Sequence, residues 1–561
     1  MVNPERPVLP QAARFYRTAS IVLFAVLVCI VVLTFRQYGI TWDEPGQNRY
    51  GSLVDRYYLD LLHGRYNLAP IVDDYNFGYY GGLFDSVAAG LEHISPFGEF
   101  ETRHLLNAMV GLLGILGCWK MARLLGGYAA AFWAALLLAV TPRYFGPMFN
   151  NPKDIPFAVG YVWTVYFLLL AIPLLPRIPW RLCLKLGVVI GLTLGIRVGG
   201  LLLLAYVGTV QAAYLVWALM RQKTPGSLRS DIAVTLSRFA AIALPAWMVM
   251  LVFWPWAQAA PFTRPFQALS YFNTFPWSGA VLFHGKEMQA TSLPRTYTLE
   301  WLGITLPEGV LALLAVAIVL GVRATWINRS RLLQDVAPAR YAFAAFALLF
   351  PLAYIFITRP VLYDAERHSL YMVPILICLC GASWAWLLSR LFKTSKAFAF
   401  VLTSAFVAYL GWHVSVLVRL HPQEYVFFNQ AAGGLPGAAA NYETDYWGNS
   451  YREAVNMLVR HVQPERQKDP QKRYRVYMTS AQRVSAAYYF PSYFSLTSTP
   501  KDADFFLATT RYNVQDTLEG CTVGAVERFG VPLAVIKDLH CSTAPPATAD
   551  GIVQGSASRG L

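Results

Sequence analysis

Trp42-Asp43-Glu44-Pro45 sets two carboxylates side by side, immediately ahead of an amphipathic stretch. A carboxylate of suitable pKa can remove the proton from an attacking hydroxyl, the task of a general base in group transfer. The same residues can also start a helix, Asp43 or Glu44 capping the first amides and Pro45 fitting the first turn. Spacing alone does not choose between the two. A second cluster, Asn150-Asn151-Pro152-Lys153-Asp154-Ile155-Pro156, has the same double reading, with Asp154 as the cap. A third, Tyr363-Asp364-Ala365-Glu366-Arg367-His368, carries a basic pair into an apolar run, which is costly unless the pair snorkels or faces a polar cavity. Arg103 and His104 stand at a comparable position, and Arg197 interrupts an apolar stretch next to Gly199 and Gly200. Interfacial anchoring explains any one of these arginines. Several together, with carboxylates in the same layer, fit a site that holds a phosphate and moves a proton.

The elements that must position these groups are membrane helices. Of 561 residues, 56% are hydrophobic and 14% charged, against roughly 45–50% and about 25% in soluble domains. That excludes a soluble enzyme, a disordered tail and a secreted disulfide scaffold. Apolar windows fall at 18–35, 104–121, 126–141, 155–175, 183–197, 199–219, 232–254, 302–322, 341–358, 369–389 and 397–418. Each is close to the roughly 20 residues a bilayer requires, so about eleven spans are predicted. The first is a span rather than a cleavable signal peptide, because no small-x-small site precedes Arg36.

Charge assigns the orientation. With Arg6, Arg14 and Arg17 on the cytoplasmic side, alternate connections should be basic. They carry Lys120 and Arg123; Arg177, Arg181 and Lys185; Arg221, Lys223, Arg229 and Arg238; Arg323, Arg329, Arg331 and Arg340; and Arg390, Lys393 and Lys396. The +14 net charge is therefore mainly topology, and nucleic acid is not an expected partner. The N-terminus is expected to be cytoplasmic and the C-terminal domain periplasmic or extracytoplasmic.

Two outer loops, 37–102 and 255–300, far exceed the usual connection of about 4 to 6 residues and are expected to be functional. In the first, Tyr50, Leu53, Val54, Tyr57, Tyr58, Leu61 and Leu62 recur at helical spacing, which predicts an amphipathic surface helix ended by Gly64. The aromatic segment 265–277 is a second candidate. Residues 1–419 thus form the membrane domain.

From 420 to 543 the composition turns polar and alternates helical with strand-like signals, predicting a small extracytoplasmic α/β domain. Cys521 and Cys541 bracket its last hairpin and are a disulfide candidate. Cys29, Cys118, Cys183, Cys378 and Cys380 lie in or beside spans without metal spacing. The tail 544–561, rich in Ala, Ser, Gly and Pro, is expected to be disordered. The fold class is an all-α polytopic membrane protein with outer-surface amphipathic helices and a small C-terminal α/β domain.

No Walker loop or nucleotide-sugar signature is present, so an activated donor on the outer side would be lipid-linked. Asp43-Glu44, Arg103, Asp154, Leu293-Pro294-Arg295-Thr296-Tyr297 before Trp301, and Glu366-Arg367-His368 leading to Pro374 occur in an order that resembles the C superfamily of membrane glycosyltransferases. Within it, the chain resembles the protein O-mannosyltransferase family, glycosyltransferase family 39, and bacterial relatives such as the lipid A aminoarabinose transferase. The stretch Tyr442-Glu443-Thr444-Asp445-Tyr446-Trp447-Gly448-Asn449-Ser450-Tyr451-Arg452-Glu453 is similar to one found in bacterial members.

The resemblance implies a polyprenyl-phosphate sugar donor, a hydroxyl acceptor on the outer face (a lipid, a polymer or a protein) and inversion at the anomeric carbon, with the bacterial inner membrane as the expected setting. By the same resemblance Asp43 is the general base, with Glu44 positioning the acceptor or supporting the site. Arg103 and Arg367 stabilise the departing phosphate, with His368, Lys153 and Arg197 as further phosphate-binding candidates, and Asp154 shapes the cavity. No cofactor is required; Asp43, Glu44 and Asp154 could bind a divalent metal. The aminoarabinose branch has a lysine in its first outer loop, whereas Asn76-Phe77-Gly78-Tyr79-Tyr80-Gly81-Gly82-Leu83-Phe84-Asp85 has none, which argues against aminoarabinose itself. The alternative function is a transporter or flippase of a lipid-linked substrate, although no internal repeat is evident. An inactive lipid-binding member is a third reading.

Overall fold

The computed structural model describes residues 11–72, 77–221, 224–328, 335–479 and 483–541. The tail 544–561, Asn76, and the basic residues Arg6, Lys223, Arg329 and Arg331 lie outside them. Among the described residues, nine helices are long and apolar enough to cross a membrane, and the chain is an integral membrane protein.

The helices that matter for the site are α1 (Gln11–Thr34), α2 (Glu44–Leu62), α3 (Leu83–Glu92), α4 (Glu99–Ala139), α5 (Asp154–Ala171), α6 (Trp180–Leu194), α7 (Leu201–Met220) and α8 (Pro225–Val252). They are followed by α9 (Arg264–Asn273), α10 (Tyr297–Thr305), α11 (Glu308–Asn328), α12 (Val336–Thr358), α13 (Val373–Thr394) and α14 (Lys396–Leu420). The eleven apolar windows all become helix. Two of them share α4, which bends where Gly127 takes φ 78°, a conformation that costs glycine nothing. Another window is α6, 15 residues long and outside the nine. The expected break at Arg197 is real, since Arg197 is extended (φ −143°, ψ 138°) between α6 and α7.

Helix α4 packs closely on α13, and small residues make the contact: Gly381 lies so near Ala134 that a Cβ there would sit 2.7 Å from it. By contrast α11 exposes Ile318, Val319 and Val322, side chains suited to lipid rather than to a protein neighbour. Helix α2 buries Tyr50, Val54 and Tyr57 of the predicted stripe, whereas Leu61 and Leu62, the C-terminal end of that stripe, are exposed. A hairpin, β1 (Ala280–Phe283) with β2 (Lys286–Gln289), stands in the second long loop after α9.

The chain divides into two compact units, Met1–Asn449 with Arg528–Val531, and Ser450–Glu527 with Pro532–Leu561. The boundary expected at 419/420 is thereby moved to 449/450. The physical reason is that 421–449, though polar in composition, buries Glu424, Tyr425, Phe427, Phe428, Asp445 and Trp447 in the first unit. Tyr38 donates to Glu424 (3.0 Å) and Asn429 N–H to the Ile304 carbonyl (2.9 Å).

The second unit is the predicted small α/β fold. Its sheet comprises β3 (Tyr474–Tyr477), β4 (Phe494–Thr497), β5 (Phe505–Thr509), β6 (Cys521–Arg528) and β7 (Val531–Asp538), in the order β4-β3-β5-β7-β6. Strand β3 runs parallel to β4 and β5, and β7 is antiparallel to β5. Helix α15 (Tyr451–Lys468) contributes Tyr451, Ala454, Val455, Leu458 and Val462 to the core, the i, i+3, i+4 stripe of an amphipathic helix. Cys521 and Cys541 form a disulfide, with Cα atoms 6.0 Å apart.

Candidate active site

Helix α2 begins straight after Asp43, yet the Asp43 carboxylate caps none of its amides. It turns instead to Arg367, whose Nη2 donates to Oδ2 at 3.1 Å. Arg367 is a hub: its Nε donates to Asp154 (3.2 Å) and its Nη1 to Asp364 (2.8 Å), so each guanidinium nitrogen meets a different carboxylate. Its charge also lies against the rings of Trp447 (5.4 Å) and Tyr363 (5.7 Å). Asp364 and Ala365 both adopt positive φ, 55° and 62°, a locally strained backbone of the kind that collects at functional sites.

Asp154 is the second bridge. Its Oδ1 pairs with Arg197 (2.8 Å), while its Oδ2 takes Arg367 Nε and the Asn151 amide (2.9 Å). The capping role belongs to Asn151, whose Oδ1 accepts from the Asp154 N–H at 3.0 Å. Both Asp154 oxygens face guanidinium, so arginine supplies the positive charge that this carboxylate needs. Among the described residues no group of three or more His, Cys, Asp or Glu could hold a metal ion.

Asp43 is the most open member of this network: its side chain is 38% exposed, against 19% for Arg197, 8% for Arg367 and 4% for Asp154 and Asp364. Protein atoms nonetheless enclose it on most sides. That desolvation raises its pKa above the ordinary carboxylate value, Arg367 opposes the rise, and Asp364 and Asp154 add to it. A partly desolvated carboxylate, aimed by an arginine and open on one side, has the geometry of a general base.

Glu44 does not share this access. It is 1% exposed, accepts from Thr41 N–H (2.8 Å) and Thr41 Oγ1 (3.2 Å), and pairs with His104 Nε2 at 3.1 Å. It is buried where it braces the start of α2. Arg103 and Lys153 are also committed, to a residue that sequence reasoning passed over. Asp85 takes Arg103 Nη2 on one oxygen (2.8 Å) and Lys153 Nζ on the other (2.7 Å), all three side chains being buried. Burial lowers the Lys153 pKa and the Asp85 charge counteracts it. The structure places Asp85 on the buried face of α3, beside Phe84, Ala88 and Ala89, and its sequence neighbours did not mark the two cations it meets. His368 stands edge-on to Tyr363, with ring centroids 4.7 Å apart.

Two further buried parts complete the site. Arg143 pairs with Glu366 at 3.1 Å and donates to the Phe427 carbonyl at 3.0 Å, between the rings of Trp301 and Phe428. Burial raises the Glu366 pKa, and Arg143 opposes that. The stretch 442–449 ties these segments together. Asn449 Oδ1 accepts from Asn150 (3.1 Å), its Nδ2 donates to the Pro422 carbonyl (2.9 Å), and its N–H donates to Asp445 (3.1 Å). The Trp447 carbonyl accepts from Trp42 N–H at 3.3 Å, one residue from Asp43.

Residues 88–255 match the dolichyl-phosphate-mannose-protein mannosyltransferase family model. The match takes in Arg103, Lys153, Asp154 and Arg197, and stops short of Asp43 and Arg367. It supports the glycosyltransferase, mannosyltransferase-like character that the sequence resemblance implied. No curated protein matches the chain.

Among solved structures, ArnT from Cupriavidus metallidurans bound to undecaprenyl phosphate is 14% identical, covering 94% of this chain and 99% of that one at a TM-score of 0.45. The oligosaccharyltransferase of Archaeoglobus fulgidus is 12% identical, covering 87% of this chain and 65% of that one at 0.43. The Saccharomyces cerevisiae protein O-mannosyltransferase Pmt1-Pmt2 complex bound to its sugar donor is 15% identical, covering 49% and 39% at 0.32.

Proposed function

We propose that this protein is an inverting membrane glycosyltransferase that moves a sugar from a polyprenyl-phosphate donor to a hydroxyl acceptor on the outer face. The observation that carries the reading is Asp43, the exposed carboxylate of a buried network, held on Arg367. The acceptor oxygen attacks the anomeric carbon and its proton passes to Asp43. The bond from that carbon to the phosphate oxygen breaks, and its electron pair leaves with the phosphate. Arg197, partly exposed beside Asp154, is the cation placed to meet the growing charge. Arg367 acts chiefly by aiming Asp43, and Arg103 and Lys153 by supporting the wall through Asp85. The sugar is a hexose or a pentose, and the acceptor a lipid, a polymer or a protein hydroxyl.

The test is transfer of labelled sugar from a polyprenyl-phosphate donor into a membrane extract, comparing the wild type with Asp43→Asn. Loss of transfer in a folded variant supports the reading. Equal transfer removes Asp43 as the base. Absence of transfer in both, with lipid crossing vesicle bilayers instead, replaces the enzyme with a flippase.

A further inference from the structure

The segment 77–83 is held more rigidly than an ordinary loop. Tyr50 Oη donates to the Tyr80 carbonyl (2.9 Å), Trp254 Nε1 to the Gly78 carbonyl (2.8 Å), Gly82 N–H to the Phe253 carbonyl (2.8 Å) and Leu83 N–H to the Gly195 carbonyl (3.0 Å). Gly81 rests directly on Gly195, where a Cβ would stand 2.1 Å from the carbonyl oxygen, so only glycine permits the approach. Gly195 lies two residues before Arg197. The close contact therefore fixes Tyr80 against the arginine that pairs with Asp154.

The Tyr80 ring packs on Phe272, with centroids 4.7 Å apart, and takes the Lys153 ammonium at 4.9 Å and the Arg197 guanidinium at 5.8 Å. Its hydroxyl makes no hydrogen bond with any described residue, while its main chain is fully engaged. Burial raises the phenol pKa, and Arg197, Arg367, Asp43 and Asp154 are the charges it feels. The hydroxyl accordingly keeps its proton and sits among the residues of the proposed transfer centre. A neutral O–H donor on a ring that faces two cations, with its main chain tied by hydrogen bonds, suits an anionic oxygen rather than a sugar ring.

Resting on the glycosyltransferase reading, we propose that Tyr80 is a ligand of the donor phosphate. Its O–H donates a hydrogen bond to a phosphate oxygen and strengthens as the electron pair of the breaking glycosyl bond arrives there. The tyrosine keeps its proton; the acceptor's proton goes to Asp43.

Tyr80→Phe removes one oxygen and keeps the ring contacts with Phe272, Lys153 and Arg197. Binding of the unglycosylated lipid, undecaprenyl phosphate, is measured on the full-length protein together with turnover of the sugar-loaded donor. A hydrogen bond to a charged group corresponds to about 10- to 100-fold. The expected result is lipid-phosphate binding weakened by about tenfold and kcat lowered by about 10- to 100-fold, with acceptor KM, melting temperature and binding of the phosphate-free polyprenol unchanged. A purely structural role would move the last two. Lipid-phosphate binding within twofold of wild type overturns the assignment, as does a wild type that does not bind the lipid phosphate. A wild type that binds it without transferring sugar overturns the glycosyltransferase reading alone, and Tyr80→Phe binding still decides this one.

Discussion

Arg367 and Asp43 lie 324 residues apart in the chain and share a 3.1 Å hydrogen bond. The arginine is buried and the carboxylate is 38% exposed, so the pair spans from the packed interior to the open side of the site. A buried guanidinium with three carboxylates is costly to desolvate and strongly destabilising to break. Its value in this position is orientation: Asp43 is held at one angle, away from the helix amides it would otherwise cap.

Asp43→Asn is expected to abolish transfer, by a factor of about 10² to 10⁴, the usual contribution of a general base. The melting temperature should stay near that of wild type, because the amide can still accept from Arg367. Labelled-sugar transfer and a thermal melt of the same preparation check both halves.

The pH dependence follows from the raised Asp43 pKa. A base must be deprotonated, so activity should fall as pH drops through a value above the ordinary carboxylate range. Replacing Arg367 by Gln removes the charge that opposes the rise, and the acid limb should move to still higher pH. A shift toward lower pH in a kcat/KM profile of Arg367→Gln would contradict the assignment.

Asp85→Asn should leave Arg103 and Lys153 buried with no carboxylate between them, destabilising the protein by about 3–5 kcal/mol. Adding Lys153→Met should recover part of that loss, since one uncompensated charge is then gone. Additive losses in the double variant, measured by thermal or denaturant unfolding in detergent, would show that the two residues are not coupled.

Glu92, close enough to feel the Arg103 charge, supplies a stability test at the edge of the site. Burial pushes its pKa up to about 7, against the opposing charge of Arg103 and with Glu99 adding to the rise. The folded state therefore holds this proton more tightly than the unfolded chain. The contribution is fully present below the unfolded value and is lost as pH rises toward about 7. Melting curves at several pH values should show stability declining across that interval by on the order of 1 kcal/mol, allowing for the half-exposed position. Glu92→Gln should flatten the slope.

The sequence by itself determined the membrane class, the apolar windows, the amphipathic helix after Asp43 and the alternating pattern of the C-terminal unit. These are local properties: a run of apolar residues or a 3.6-residue stripe specifies an element wherever it later packs. It also singled out Asp43, Asp154, Arg197 and Arg367, because charges at the ends of apolar runs are expensive enough to need a reason. Only the tertiary structure decided their partners. Asp43 and Asp154 were equally good helix caps in one dimension, and what released them was Arg367, arriving from more than 200 residues away to meet both. Asp85 was invisible for the converse reason. One carboxylate on a short helix carries no mark of the arginine and lysine it will neutralise, 18 and 68 residues further on. Periodicity fixes which face of a helix is buried, while the identity of the opposing face is set by long-range packing, where the cost of an unpaired buried charge selects which residues meet.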